Sequence, residues 1–173
     1  MATTVITESR IIETVSTGSR TWATMLFATT ASVPLLILRL GLGIVFLPHG
    51  LQKTFGFFGG LGFSGQMDQF TLQMGIPAFL AVLAIAAEFL GALGLITGFL
   101  TRIAAFGILC NMVVAALFVH LPNGFFMNWE GQQAGEGFEY HILAVVIALS
   151  VIIAGAGRFS IDRAIFRKMI GRD

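Results

Sequence analysis

An all-α integral membrane protein, a four-helix bundle with both termini cytoplasmic, is the fold class the sequence predicts, and three observations carry that reading. Of its 173 residues 56% are hydrophobic and only 11% charged, far from the soluble average. Four apolar stretches approach the ~20 residues that a helix needs to cross a hydrocarbon core of roughly 30 Å. When the chain is threaded through the bilayer four times, Arg10, Arg20, Arg102, Arg158, Arg163, Arg167, Lys168 and Arg172 fall on one side and only Lys53 on the other. Cations mark the cytoplasmic side.

The elements follow in order. Residues 1–31 are rich in Thr and Ser and read as a cytoplasmic tail, with an interfacial piece around Trp22 to Phe27. The membrane domain covers residues 32–157, with spans over about 33–49, 77–100, 102–121 and 139–157. The first span contains Arg39 and closes on LPHGLQK, which puts His49 at one membrane face and Lys53 just beyond it. The linker TFGFFGGLGFSG lacks the G-K-[ST] ending of a phosphate cradle, so it reads as an aromatic segment packed at the interface. A short helix over Gln66 to Met74 leads to Pro77.

The second span, PAFLAVLAIAAEFLGALGLITGFL, holds one ionisable residue, Glu88. A carboxylate at that depth costs on the order of 2.5–3.5 kcal/mol on insertion scales, which demands an inward position and a partner. Ala81, Ala84, Glu88, Gly91 and Ala92 share a face, with Leu83, Leu90 and Leu93 elsewhere. Small residues let helices approach closely in lipid. The third span repeats the pattern with Ala104, Gly107, Asn111 and Ala115, and His120 ends it. The fourth carries His141, Ala144, Ala148 and Gly155 on one side. Residues 158–173 form a basic cytoplasmic tail. LPHG at 47–50 and LPNG at 121–124 are a weak internal echo from which no function follows.

Counting at ~1.5 Å per residue from the cytoplasmic face puts Arg39 roughly 10 Å deep, Asn111 roughly 13 Å and Glu88 roughly 18 Å. An Arg39–Glu88 pair is therefore expected, if the first two spans adjoin as consecutive elements usually do. Its role is open between fixing register and serving function. Asn111 reads as a packing hydrogen bond, and Cys110 as a buried apolar residue. His49, Lys53, His120, Glu139, Tyr140 and His141 come out together near the outer boundary. Their chemistry suits a quinone headgroup, because an imidazole can donate to a quinone oxygen and shuttle its proton, with Glu139 or Tyr140 as second donor. No metal site is assigned, since no two histidines lie at i, i+4 on one helix. The lone cysteine excludes an intrachain disulfide or C-x-x-C redox pair. Nucleic-acid binding is not indicated, for want of a basic patch with interleaved aromatics.

The succession of LRLGLGIVFLPHGLQK, an intramembrane Glu before GALGL, the GFLTR connection, HLPNGFF, EGFEY and GAGRFSID resembles the DoxX family of small four-helix membrane proteins. The resemblance covers about Leu35 to Asp162. Its motif positions here are Arg39, His49, Gly50, Lys53, Glu88, Arg102, His120, Asn123, Gly124 and Glu139. It implies a multi-pass bacterial plasma-membrane protein, and relatives linked to a thiosulfate:quinone oxidoreductase and to thiol and oxidative-stress defence. It transfers no catalytic assignment. The preferred expectation is a membrane subunit of a quinone- or thiol-linked redox system, with a soluble or membrane partner carrying the redox centre. Two alternatives stand beside it: a non-catalytic membrane anchor or assembly factor, and a small-solute or proton pathway through Glu88.

Overall fold

The computed structural model describes residues 22–171, so most of the expected amino-terminal tail and the last two residues lie outside the described part. A short helix α1, Trp22–Phe27, precedes the first long one. Helix α2, Val33–Phe55, starts at Ser32, whose hydroxyl accepts from the Leu35 amide, with a proline in its first turn. Side-chain capping and proline at the start both suit a helix amino terminus. The helix carries Pro48 without a break and runs to Gly56. It is thus longer than the span expected over 33–49, which has consequences for Lys53.

After a 3-10 turn at Phe57–Gly59 come α3, Gly62–Asp68, and a π turn, Gln69–Gln73. Helix α4, Ala78–Thr97, ends at Gly98, and α5, Thr101–Ala115, begins three residues later. A π turn, Ala116–His120, and a 3-10 turn, Leu121–Asn123, prolong α5. Helix α6 covers Glu139–Ala154 and α7 covers Ile161–Met169. Among the described residues three helical stretches are long and apolar enough to cross a membrane: Val33–Phe55, Ala78–Thr97 and Thr101–Asn123. At 16 residues α6 is shorter than the expected span over 139–157.

The four long helices close a ring in which α2 packs on α4, α4 on α5, α5 on α6 and α6 on α2. Leu42, Phe46, Ala92, Leu95, Ile108, Met112, Ala148 and Val151 form the core. The outside is apolar too: Ile37, Leu83, Leu90, Phe106, Leu143 and Ile153 are all exposed. Apolar side chains on both the core and the outer face are what lipid, not water, permits. The small-residue stripe of α4 is confirmed, because Ala81, Glu88, Gly91 and Ala92 are buried while Leu83, Leu90 and Leu93 are exposed. On α6 His141, Ala144 and Ala148 are buried as expected. Cys110 departs from expectation: it is exposed, one position from Asn111 and pointing away from the interior. Ala105, Ile108 and Met112 of α5 enter the core, while Ala104, Gly107 and Asn111 of the expected stripe pack against α4.

The α2–α4 contact depends on Gly50. A Cβ there would lie 2.6 Å from the Cα of Phe89 and 3.0 Å from the carbonyl carbon of Glu88, so nothing larger than glycine fits without moving a backbone. Gly50→Val is expected to separate α2 from α4 and to destabilise the protein by at least about 1–3 kcal/mol, the cost of overpacking. Thermal unfolding in detergent checks this; an unchanged midpoint would show that the two helices can part freely.

Candidate functional site

Two groups of polar side chains sit at opposite ends of the ring. At the end where α2 begins, the Arg39 guanidinium, 1% exposed, donates only to backbone carbonyls. Its Nε meets Ala156 at 2.8 Å, Nη1 meets Leu95 at 2.5 Å and Ile96 at 2.8 Å, and Nη2 meets Phe159 at 2.6 Å and Arg158 at 3.4 Å. The last carbonyls of a helix lack intrahelical partners and carry the negative end of its dipole. A planar five-donor cation is suited to collecting several of them at once. Gly98, at φ +69, makes room, since a Cβ there would come within 3.1 Å of the Arg39 guanidinium carbon and 2.8 Å of the Ser160 Cα.

The same end is closed by Asp162, which is 2% exposed. Its two carboxylate oxygens accept from the amides of Leu100 (2.8 Å) and Thr101 (2.9 Å), the first free donors of α5. Arg102 donates to the carbonyls of Ile152, Ile153 and Ala28, tying α5 to the end of α6 and to the segment after α1. The Arg158 amide donates to Ser32 at 3.0 Å, so the start of α2 and the exit from α6 share this end. Ser160 and Asp162 were not singled out from the sequence, although GRFSID after an apolar span is the signal that could have found them.

The expected Arg39–Glu88 pair does not form. Arg39 and Lys53 are fourteen positions apart on α2, about 21 Å along its axis at ~1.5 Å per residue, and Glu88 lies level with the Lys53 end. Because α2 continues past Pro48, Lys53 turns inward rather than standing beyond the membrane face, and its Nζ meets Glu88 Oε2 at 2.6 Å. Antiparallel packing fixes this register: Gly43 lies against Ala92 and Leu95, and Gly50 against Glu88 and Phe89. Asn111 belongs to neither group. Its Nδ2 donates to the Ala84 carbonyl at 2.7 Å, the packing bond expected of it.

Around the Lys53–Glu88 pair the other expected residues gather in part. The Phe46 ring lies 6.2 Å from His49 and 6.4 Å from Tyr140, Tyr140 lies 5.7 Å from His141, and His141 lies 4.1 Å from His120. His120 Nδ1 contacts the Glu136 carbonyl at 2.8 Å, which requires the proton on Nδ1 and leaves Nε2 as an acceptor. Among the described residues the Tyr140 hydroxyl, His141 Nδ1 and Thr54 hydroxyl are buried without a hydrogen-bond partner. Buried polar atoms are normally satisfied, so such orphans mark a place for a further polar atom. Glu139 is held apart from the imidazoles, since its Oε1 accepts from the Met127 amide at 2.9 Å and secures the loop before α6. A cleft of about 320 Å³ opens beside Tyr140, lined also by Glu139 and by Phe125, Met127, Trp129, Ile142 and Leu143. Among the described residues no three of His, Cys, Asp and Glu converge to hold a metal ion.

A ring of apolar helices with charges turned inward, one end clamped through carbonyls and the other carrying an ion pair beside three imidazoles, defines an all-helical membrane protein with a polar cluster near one face. Comparison with known proteins gives the family. A DoxX family profile matches residues 34–121. The chain is 30% identical over 132 residues to "Putative oxidoreductase CatD" of Bacillus subtilis (strain 168), covering 76% of this chain and 87% of that protein. It is 30% identical over 141 residues to "Inner membrane protein YqjF" of Escherichia coli (strain K12), covering 79% and 95% respectively. An uncharacterized membrane protein of Mycobacterium tuberculosis (strain ATCC 25618 / H37Rv) is 33% identical over 138 residues, covering 76% and 80%. The chain belongs to the DoxX family. No solved structure matches it.

Proposed function

We propose that this protein is a multi-pass subunit of a redox system in the bacterial inner membrane, crossing it four times with both termini cytoplasmic, and that it holds a quinone headgroup beside His120, Tyr140 and His141. The observation that carries this reading is the buried Tyr140 hydroxyl, which has no hydrogen-bond partner among the described residues and belongs to a residue lining a largely apolar cleft, with the unpartnered Nδ1 of His141 on the next residue. An apolar cavity with a few convergent polar groups is the usual form of a small-ligand site. Support of a coarser kind comes from the relative named as an oxidoreductase. The end clamped by Arg39 carries Arg102, Arg158, Arg163, Arg167 and Lys168, an excess of cations that supports a cytoplasmic position for it and an outer one for the imidazoles.

A bound quinone supplies the two-electron acceptor. The Tyr140 O–H would be the donor to a headgroup oxygen. His141, its Nδ1 without another partner among the described residues, would offer a second hydrogen bond, and the His120 ring packs against it with centroids 4.1 Å apart. Phe46 of α2 stacks on Tyr140, and the Lys53–Glu88 pair fixes α2 against α4. The single thiol, Cys110, is exposed on the outer face of α5 and cannot close an intrachain disulfide, so a partner protein delivers the electrons.

Quenching of Trp129 fluorescence in nanodiscs, in a Trp22→Phe background, tests this reading, because Trp129 lines the cleft with Tyr140. Saturable quenching by quinone is expected. Tyr140→Phe and His141→Ala should each weaken it about tenfold, the value of one hydrogen bond of ~1.4 kcal/mol, and Tyr140→Phe should do so with the unfolding midpoint nearly unchanged. Quenching that only follows partition into empty bilayer, or variants that bind like the parent, would support the anchor reading instead.

A further inference from the structure

We infer that α7 and the residues leading into it form a docking surface for anionic phospholipid headgroups of the bilayer in which the protein sits, and that occupying it strengthens the clamp beneath. The reading is independent of the quinone site, which lies at the other end of the bundle. Helix α7 is strongly two-sided. At 100° per residue Ile161, Ile165, Met169 and Phe166 fall on one arc and Arg163 and Arg167 on the opposite one, with Lys168 at the edge beside Ile161. A basic amphipathic helix of this kind lies in the plane of an interface.

Three contacts fix its position at the membrane boundary. The Ser160 hydroxyl accepts from the Arg163 amide (3.2 Å), the Asp162 amide donates to the Gly98 carbonyl (2.9 Å), and the Asp162 carboxylate receives the first amides of α5. The helix therefore starts level with the ends of α4 and α5, where a headgroup layer must lie. Phe159 adds an anchor. It holds φ +53, an unfavourable value for a residue with a Cβ, while its carbonyl turns inward to Arg39 at 2.6 Å and its ring stands 73% exposed. The Arg158 guanidinium covers that ring at 4.8 Å. An exposed aromatic ring topped by a cation is what the headgroup boundary accommodates. Helix α1 packs against α7 and adds exposed Trp22 and Met25.

Anionic lipid is the committed occupant because the cations Arg158, Arg163 and Lys168 sit on a segment whose acidic residue, Asp162, is buried and engaged. Headgroups gathered over them hold α7 in place, and through Ser160 and Asp162 they hold the ends of α4 and α5.

The test uses the full chain in nanodiscs of phosphatidylcholine alone, or with phosphatidylglycerol. The unfolding midpoint should rise by several degrees with phosphatidylglycerol, and amide hydrogen exchange over 161–169 should slow. Salt should erase the rise. Arg163→Gln with Lys168→Gln should keep the midpoint in phosphatidylcholine and lose the increment, with phosphatidylglycerol retention in detergent falling about fivefold per cation removed. Equal midpoints and exchange in both lipids would overturn the proposal. So would a double variant that keeps the increment, or inorganic phosphate reproducing it in phosphatidylcholine.

Discussion

Arg39→Ala is expected to produce the largest loss of stability of any single substitution here, at least about 3 kcal/mol, because several buried carbonyls lose a charged donor together and no water replaces it. The affected carbonyls, those of Leu95, Ile96, Ala156 and Phe159, belong to two helix ends and the turn into α7. Their release should therefore loosen α4, α6 and α7 in concert. Arg39→Lys should recover only part of the loss, since a compact three-donor ammonium cannot span carbonyls that a planar fork reaches from three directions. Thermal unfolding of the three proteins in one detergent orders them as parent, lysine, alanine. A lysine variant equal to the parent would mean that charge alone, without the fork, closes this end.

Breaking the Lys53–Glu88 pair from one side is the second large effect. Glu88→Ala leaves an ammonium facing the interior, and Lys53→Ala leaves a carboxylate whose side chain is 9% exposed. Removing one partner of a buried pair costs about 3–5 kcal/mol, and Glu88→Ala should fall toward the lower end because the long Lys53 side chain can extend to the boundary. The double variant Lys53→Ala with Glu88→Ala should be less destabilised than the sum of the single losses by about 1–3 kcal/mol, as no charge is left uncompensated. Additive losses would mean that the two charges do not depend on each other. Glu88→Gln in liposomes serves the proton-path alternative, which requires pH-driven flux in the parent that this variant abolishes.

Periodicity made much of the fold legible. Stripes of Ala and Gly at helical spacing assigned the inner faces of α4 and α6 correctly, since in lipid only small or polar residues have a reason to face other helices. Cys110, expected to be buried as a small apolar residue, is exposed instead. A weakly polar residue beside Asn111 carries no signal separating the interior from the lipid side, and the register of α5 is set by Ala105, Ile108 and Met112 entering the core. The pairing of charges was not legible either. Counting residues from a face assumes that each helix stops where its apolar run stops, but α2 continues through Pro48 and brings Lys53 inward.

What the sequence alone determined is that an apolar, helical chain must place its few ionic side chains inside, because the penalty for a charge against acyl chains depends on residue type and depth only. Which ions meet was decided by the tertiary structure. The helix ends presented Arg39 with carbonyls nearer than any carboxylate, and the glycine contact at Gly50 set the register that gave Glu88 to Lys53. Coulomb attraction and hydrogen bonding act over a few ångströms, so partners are chosen by packing and not by the order of residues along the chain.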